Sequence, residues 1–320
     1  MIASTIFQQL SMKIFLFIMT LFYSVNGALV PPSTDNTIDA DATGAQLVFA
    51  TVADPQVSNY MFDRYATFLE ASADLHNAKG LDAIVGLGDI AENGLAEEYQ
   101  LVYDALSGID TEYIMATGNH DIRLRAFSQS ESRFLKFANA LNGNEELTSS
   151  HYVKEINGYK IIVLGTEKMV FEEAYLSDAQ LEWLDSELTA ANGKPAFVVC
   201  HQPLKDTHNI DVSWNSVVEG AGSVGPQSDA LRAIVEKHSN VFLLTGHLHM
   251  AFCEYSYEQF DGDSHGINVP SFSIENKDGD YNKGGTSYIV EVYEDEVIFR
   301  ARDHELGIWV PEYDIVVNVA

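Results

Sequence analysis

Basic residues are scarce in this chain of 320 residues, which has 18 Lys and Arg against 47 Asp and Glu and a formal net charge of -29. Nucleic-acid backbones and anionic membrane faces carry the same sign of charge, so this surface repels both. A phosphate-bearing small molecule needs a strong local positive charge here, and a bound metal ion would supply one. The charge balance therefore favours a bound metal ion as the group that would attract such a molecule.

Cysteine is also scarce, because Cys200 and Cys253 are the two thiols of the chain. Two cysteines do not make a disulfide framework, and their spacing matches no cysteine-based zinc site. They could pair in an exported protein, and two free thiols are the equal alternative. With 46% hydrophobic residues, the chain can build a globular core without cross-links.

A long membrane-spanning run is missing, since the apolar segment "IFLFIMTLFYSV" is about a dozen residues long and too short to cross a bilayer. It follows Lys13 and precedes Asn26-Gly27-Ala28, which is typical of a signal peptide. We predict a signal peptide at 1–27, with Met12 as an alternative start, and a linker at 28–45. The mature protein is then secreted or periplasmic, without a stable membrane span. A retained N-terminal anchor is the alternative.

Strand and helix patterns alternate after residue 46, which indicates one α/β domain over 46–320. Short apolar runs predict strands at 46–53, 82–87, 112–117, 160–165, 196–200 and 241–245. Amphipathic stretches predict helices at 60–79, 95–107, 129–141, 177–191 and 226–238. Asn157-Gly158 indicates a tight hairpin turn, and 286–303 reads as a second hairpin.

Metal-ligand residue types follow five of these strands. The blocks are Asp54-Pro55-Gln56, Gly88-Asp89, Gly118-Asn119-His120-Asp121, Val198-x-x-His201 and Gly246-His247-Leu248-His249. Ligand sites of α/β sheets gather at the carboxyl ends of strands, so these side chains are expected to meet. In this order the five blocks resemble the calcineurin-like metallophosphoesterase superfamily, from about residue 46 to 303.

The resemblance implies a four-layer α/β/β/α sandwich that holds two divalent metal ions. Residue by residue, it assigns Asp54, Gln56, Asp89 and His249 to a first metal position. It assigns Asp89, Asn119, His201 and His247 to a second, with Asp89 bridging. Such a pair lowers the pKa of a bridging water and clamps the phosphate oxygens for in-line attack by hydroxide. Two divalent ions against two aspartates and one hydroxide leave a positive centre, which suits a phosphodiester anion.

The resemblance also implies that His120 stays outside the metal shell and protonates the leaving oxygen, which suits an imidazole. Glu92 or Asp121 is the candidate partner that orients it. The Gly-Asp block lacks the Tyr of purple acid phosphatases, which argues against a ferric, purple-type centre. Most members have His at the position of Gln56. An amide oxygen is a harder donor, which favours Mn²⁺, with Fe, Zn or a mixed pair as the alternatives.

Four further residues are candidate substrate contacts. Arg123 and Arg125 follow the Asn-His-Asp block and could bind a phosphate group, or form salt bridges in so acidic a chain. His208 and Trp214 lie in the long loop 206–225, directly after His201. Long loops beside active sites are commonly functional, so we expect a substrate rim there.

The leading prediction is an exported dinuclear-metal phosphoesterase that acts on small-molecule phosphate esters, with phosphodiesters preferred over monoesters. A pyrophosphatase for nucleoside-diphosphate-linked compounds is an alternative that Gln56 keeps open. A non-catalytic metal- or ligand-binding protein on the same scaffold is the third.

Overall fold

Two mixed β-sheets form the centre of the computed structural model, which describes residues 36–124, 126–143, 146–209 and 222–319. The strands of this part, β1 to β13 in chain order, are Leu47–Val52, Ala83–Gly86, Glu112–Met115, Tyr152–Ile156, Tyr159–Val163, Ala196–Val199, Val241–Thr245, Tyr257–Gln259, Ser264–Asn268, Thr286–Val292, Glu296–Asp303, Ile308–Trp309 and Ile315–Asn318. The first sheet has the order β12-β11-β10-β1-β2-β3, and β13 also pairs with β11. The second has the order β4-β5-β6-β7-β9-β8.

Each sheet contains a parallel part, which in the first sheet lies at one end because β10 pairs with β1 in antiparallel fashion. In the first sheet β2 pairs in parallel with β1 and β3, and in the second β5, β6, β7 and β9 pair in parallel. Every residue of β1, β2, β6 and β7 is buried, as expected where both faces of a parallel sheet are covered. Their carboxyl ends lie at one edge of each sheet, and this edge positions the site.

Helices cover the outer face of each sheet. The α-helices of the described chain, α1 to α6, are Phe62–Asn77, Ala96–Leu106, Asn119–Ile122, Phe127–Asn142, Asp178–Ala191 and Ser228–Val235. Phe68 of α1, Val102 of α2 and Phe134 of α4 share one buried core with β1, β2 and β3. Leu184 of α5 and Leu231 of α6 share another with the second sheet.

A third core fills the space between the two sheets. Phe197 of β6 lies with its ring 5.0 Å from that of Phe49 in β1 and 5.4 Å from that of Phe242 in β7. The three cores separate four layers in the order helix, sheet, sheet, helix. The predicted four-layer α/β/β/α sandwich is therefore confirmed.

Both predicted hairpins are present. Asn157 and Gly158 join the antiparallel strands β4 and β5, and their φ angles of 54° and 81° are those that an Asn-Gly turn adopts. The second hairpin consists of β10 and β11, which pair from Thr286 with Asp303 to Val292 with Val297.

The compact unit begins at Ile38, inside the segment 28–45 that the sequence predicts as a linker. Ile38 and Ala40 are buried in the core beneath α1, and the backbone of Ala40 donates a hydrogen bond to Lys79 O. The compact unit therefore includes residues 38–45 of the segment that the sequence predicts as a linker. The predicted signal peptide lies outside the described residues.

Cys200 and Cys253 are both free thiols. Cys200 is buried at the end of β6, where burial raises the pKa of its thiol to about 12. Of the two alternatives from the sequence, the unpaired one is present. In the described part of the chain, no helix has the length and apolar character needed to cross a membrane.

Candidate dinuclear metal centre

Polar side chains follow five of the parallel strands at the edge where the two sheets present their carboxyl ends. In chain order they are Asp54 after β1, Asp89 after β2, Asn119 after β3, His201 after β6, and His247 with His249 after β7. The structure brings these predicted metal ligands together. One ligand atom each from Asp89, His201 and His247 lies within 4.8 Å of the others.

Each of the two aspartates holds a backbone amide with one oxygen. Asp54 Oδ2 accepts a hydrogen bond of 2.9 Å from the backbone N–H of His247. Asp89 Oδ1 accepts one of 2.8 Å from the backbone N–H of His120. The other oxygen of Asp89 lies 3.3 Å from His201 Nε2. The carboxylates are thus fixed by the loops around them and keep one oxygen each for the site.

The imidazole of His201 is oriented by a backbone carbonyl. Its Nδ1 lies 2.8 Å from Leu87 O, so this nitrogen donates to the carbonyl, and in the neutral ring Nε2 is the nitrogen with the lone pair. Nε2 lies 3.2 Å from Nδ1 of His247. Burial alone would lower the pKa of His201, but Asp89 and Asp54 raise it to about 10. The carboxylates therefore favour a positive charge at this point.

Two buried oxygens of the site have no hydrogen-bond partner among the described residues. They are Oδ1 of Asp54 and Oδ1 of Asn119. A buried acceptor without a donor is uncommon and requires an explanation. A cation would satisfy both oxygens, and carboxylate, amide and imidazole are ligands that divalent metals accept. The residues present therefore fit a metal centre.

The backbone of the site is strained at five positions that are not glycine. Asp54, Gln56, Asp89, His247 and His249 have φ angles of 48°, 38°, 51°, 69° and 49°. Such left-handed conformations cost about 1–3 kcal/mol each and cluster at functional sites. Here they turn side chains of successive blocks toward one point.

Two glycines of the sequence blocks allow the chain to approach the aspartates closely. A Cβ atom on Gly118 would lie 2.1 Å from Asp89 Oδ1, and one on Gly246 would lie 2.3 Å from Asp54 Oδ2. Neither distance is compatible with a side chain. The glycines before Asn119 and His247 are therefore required by close approach to the carboxylates.

The two carboxamides of the predicted ligand set present different atoms to the site. Asn119 donates from Nδ2 to Glu172 Oε2 at 2.8 Å, which leaves Oδ1 for a metal. Gln56 donates from Nε2 to Asp89 Oδ2 at 2.9 Å, and its Oε1 accepts a hydrogen bond from Arg64. The predicted role of Gln56 as a metal ligand requires its oxygen, which is turned away.

His120 stands beside the centre in contact with Glu92. Its Nδ1 lies 3.0 Å from the backbone oxygen of Glu92 and 3.5 Å from its carboxylate. Its Nε2 lies 3.9 Å from Asp89 Oδ2 and 3.0 Å from Nη1 of Arg123. Arg64 and Arg123 hold the Glu92 carboxylate at 2.6 and 2.9 Å. Glu92 is therefore the group placed to orient His120.

Asp121, the other candidate partner of His120, holds backbone instead. Its carboxylate accepts hydrogen bonds from the N–H groups of Ile90, Ala91 and Gly118 and from the Tyr99 hydroxyl. Burial and the charge of Asp89 raise its pKa to about 6. Of the two alternatives from the sequence, the structure disfavours Asp121, because its oxygens fix the loops after β2 and β3.

The predicted substrate contacts have different outcomes. His208 is buried, with Nδ1 2.8 Å from Tyr255 O and its backbone N–H bonded to Glu258, so it anchors a loop and is not exposed to substrate. Arg123 contacts His120 and Glu92 at the site, which matches the salt-bridge alternative in this state. Arg125 and Trp214 lie outside the described residues.

Three residues of the site are missing from the sequence prediction. Glu172 orients Asn119, Arg64 joins Gln56 to Glu92, and Ser271 Oγ donates to the backbone oxygen of Asp54 at 2.8 Å. None belongs to a strand-end block. A signal exists only for Arg64, because a basic residue one turn into α1 follows the Asp54 block closely in sequence.

The chain is similar to known proteins over the region that contains this site. The profile of the calcineurin-like phosphoesterase family matches residues 47–251. A 3',5'-cyclic-nucleotide phosphodiesterase of Nostoc sp. is 24% identical over 54% of this chain and 57% of that protein. The glycerophosphodiester phosphodiesterase GpdQ of Enterobacter lignolyticus is 25% identical over 52% and 56%. The matches span little more than half the length of these relatives.

Solved structures share the fold at low sequence identity. A dimetal phosphatase from Danio rerio is 15% identical, with a TM-score of 0.61, over 86% of this chain and 100% of that one. A purple acid phosphatase from yellow lupin seeds is 12% identical, with a TM-score of 0.57, over 85% of this chain and 53% of that one. These likenesses agree with the layer order described above.

Proposed function

Because the chain belongs to the calcineurin-like phosphoesterase family, we propose that it is a metal-dependent phosphodiesterase. The observation that carries the proposal is the position of Asp89. Its Oδ2 lies 3.3 Å from His201 Nε2, and the carboxylate lies close to His247. Its Oδ1 accepts a hydrogen bond from the backbone N–H of His120, the proposed acid. A single carboxylate thus joins the proposed metal ligands to the proposed proton donor.

Six residues would hold the metal ions. Asp54, Asp89 and His249 would hold the first ion, and Asp89, Asn119, His201 and His247 would hold the second. When bound, two divalent ions would supply positive charge to the phosphoryl oxygens and acidify a water molecule. The donor set mixes carboxylate, amide and imidazole, so Mn²⁺ fits it, and Fe or Zn fits the histidines equally well.

His120 would supply the proton that the leaving oxygen needs. Glu92 accepts from Nδ1 and fixes the ring, so that Nε2 is the nitrogen that transfers its proton as the P–O bond breaks. Arg123 donates to this nitrogen in the free protein, so Nε2 would take up its proton from solvent once Arg123 moves to a phosphoryl oxygen as substrate binds. The chain thereby keeps a proton donor and a cation on one side of the centre.

Phosphodiesters are the proposed substrates because the relatives described above bear the names of cyclic-nucleotide and glycerophosphodiester phosphodiesterases. The net charge of -29 fits a small substrate that is drawn by the metal centre alone. Export by the signal peptide at 1–27 stays a prediction, and the N-terminal sequence of the mature protein would test it.

The test compares ester classes on the full chain. The protein is stripped with chelator, dialysed, supplied with Mn²⁺ and assayed on bis(p-nitrophenyl) phosphate, p-nitrophenyl phosphate and a 3',5'-cyclic nucleotide in parallel. We expect hydrolysis of both diesters and little of the monoester. Faster hydrolysis of the monoester would overturn the diester assignment, and hydrolysis of a nucleoside-diphosphate-linked compound alone would favour the pyrophosphatase alternative.

A further inference from the structure

We propose that the two carboxamides of the centre have opposite roles, with Asn119 a metal ligand and Gln56 a hydrogen-bond donor held by Arg64. The inference rests on the metal binding proposed above and goes beyond it. It assigns positioning roles to Glu172 and Arg64, which determine the atom that each amide presents. It also predicts that the two metal positions differ in affinity.

Glu172 fixes Asn119 in the orientation that a ligand needs. The carboxylate is an acceptor without donors when ionised, so it can bond only to the NH₂ end of the amide. Nδ2 of Asn119 donates to Glu172 Oε2 at 2.8 Å, and Oδ1 is left buried without a hydrogen-bond partner among the described residues. The oxygen therefore faces the second metal position.

Arg64 fixes Gln56 in the reverse orientation. Its guanidinium is a donor without acceptors, and Nη1 donates to Gln56 Oε1 at 3.2 Å and to the Gln56 backbone oxygen at 3.4 Å. Rotation of the amide would place its NH₂ group against this guanidinium, with donor facing donor. The same rotation would remove the 2.9 Å bond from Nε2 to Asp89 Oδ2.

Arg64 cannot easily move away from Gln56. Its Nη1 is also 2.6 Å from Glu92 Oε2, in an ion pair whose side chains are 22% and 9% exposed. A short, partly buried, charge-assisted bond of this kind holds the guanidinium in place. Glu92, which orients His120, thus also holds Arg64 in place. Arg64 in turn keeps the Gln56 oxygen away from the first metal position.

The first position is left with Asp54, Asp89 and His249, whereas the second has four protein ligands. The second position should therefore bind a divalent ion more tightly than the first. The same arrangement also predicts different effects on the two metal positions when each amide is removed.

The direct test is Mn²⁺ binding to the full chain, measured by electron paramagnetic resonance of the free ion and by calorimetry. Asn119→Ala should raise the dissociation constant of the tight position by at least about tenfold. Gln56→Ala removes the donor to Asp89 Oδ2 and should therefore weaken both positions by a similar factor. A loss confined to the first position in Gln56→Ala would overturn the inference, because removing a donor to the shared Asp89 weakens both positions, whereas removing a ligand weakens one.

A second test uses Arg64→Met, which keeps an unbranched apolar stem and removes the guanidinium donors. With Gln56 present, its oxygen becomes free to turn inward, so the weak position should bind Mn²⁺ about tenfold more tightly. In the Gln56→Ala background the same change should have no such effect. An equal gain in both backgrounds would indicate simple loss of a positive charge and would overturn the role of Arg64.

These measurements separate this inference from the proposed function. Absence of Mn²⁺ binding by the parent protein would contradict the metal centre itself, and the inference would fail with it. Two bound ions, with a loss confined to one position in each of Asn119→Ala and Gln56→Ala, would contradict the inference and leave the phosphodiesterase proposal intact. Thermal unfolding of each variant reports whether it is folded, and the Asn119 and Gln56 pair tests the inference without Arg64→Met.

Discussion

His201 Nε2 lies 3.3 Å from Asp89 Oδ2, and neither side chain has more than 1% of its surface exposed. Burying a carboxylate among histidines costs free energy unless the charges are matched, and Asp54 adds a second carboxylate nearby. A divalent cation would match them. The native state should therefore gain stability when the metal binds.

Removal of metal is expected to lower the melting temperature. Addition of Mn²⁺ at about 100 times its dissociation constant should stabilise the folded protein by about 2.7 kcal/mol per site. Differential scanning calorimetry with and without chelator measures the shift. Asp89→Asn should lose the response to Mn²⁺, and the exposed Asp110→Asn should keep it. A chelator-insensitive melting temperature in the parent protein would contradict the account.

Gly118→Ala should damage the centre without unfolding the protein. The new Cβ atom would collide with Asp89 Oδ1 at 2.1 Å and with Asp89 N at 2.4 Å, so the bridging carboxylate must move. We expect Mn²⁺ affinity to fall by at least about tenfold.

Gly193→Ala is the matched control for that change. Gly193 has a φ of 79° and nothing within 4 Å of an added Cβ atom, so the cost there is backbone strain alone, about 1 kcal/mol. Its Mn²⁺ affinity should stay at the parent value. If both alanine variants bind Mn²⁺ equally well, close approach at Gly118 does not support the metal site.

His120→Ala should reduce hydrolysis in proportion to the basicity of the leaving group. A poor leaving group such as a ribose oxygen needs the proton from His120, and its rate should fall by about 100-fold or more. p-Nitrophenolate leaves without a proton, so the loss on bis(p-nitrophenyl) phosphate should be smaller. Glu92→Gln should show the same trend more weakly. Equal losses on both esters would exclude proton donation by His120.

The pairing of Asp74 with Arg302 and His304 should make stability depend on acid pH. Burial alone would raise the pKa of Asp74, but hydrogen bonds from His304 and Arg302 lower it below its ordinary value. A lowered folded pKa gives stability that is complete above the unfolded pKa of about 3.9 and is lost as the pH falls through the folded pKa. The ion pair between Asp74 and Arg302 connects α1 to β11.

Asp74→Asn tests this relationship. Arg302 is 1% exposed, so removing its charged partner should lower the free energy of unfolding by about 3–5 kcal/mol at neutral pH. The difference from the parent protein should shrink below about pH 4 in urea titrations. Asp185→Asn, at a surface pair with Lys237, should cost less than about 1 kcal/mol at any pH. A pH-independent loss in Asp74→Asn would contradict the assignment.

The parallel strands and the strand ends that carry the proposed metal ligands could be predicted because each uses a local signal, whereas the order of strands within each sheet could not. Buried parallel strands are continuous apolar runs, and the residues after them must lie at one edge of the sheet. Asn157-Gly158 specifies its hairpin by conformation alone. The short strands β8, β9, β12 and β13 have no such signal, because pairing at a sheet edge depends on contacts from distant parts of the chain.

The atoms that each side chain presents could not be predicted. Sequence places Gln56 beside Asp54, but the direction of its amide depends on Arg64, which lies on α1. Asp121 follows His120 directly, and its carboxylate nevertheless bonds to the backbone of the loop after β2. His208 is buried by packing near β8 and β9. These outcomes arise from tertiary contacts.

The central claim is that diester hydrolysis requires metal held through Asp89. The most direct test measures bound Mn²⁺ and hydrolysis of bis(p-nitrophenyl) phosphate on the same samples of chelator-stripped protein and of Asp89→Asn. The account predicts that activity rises in the parent protein as the weaker position fills, and that the variant neither binds two ions nor hydrolyses the diester. Full activity in metal-free protein, or in Asp89→Asn, would contradict it.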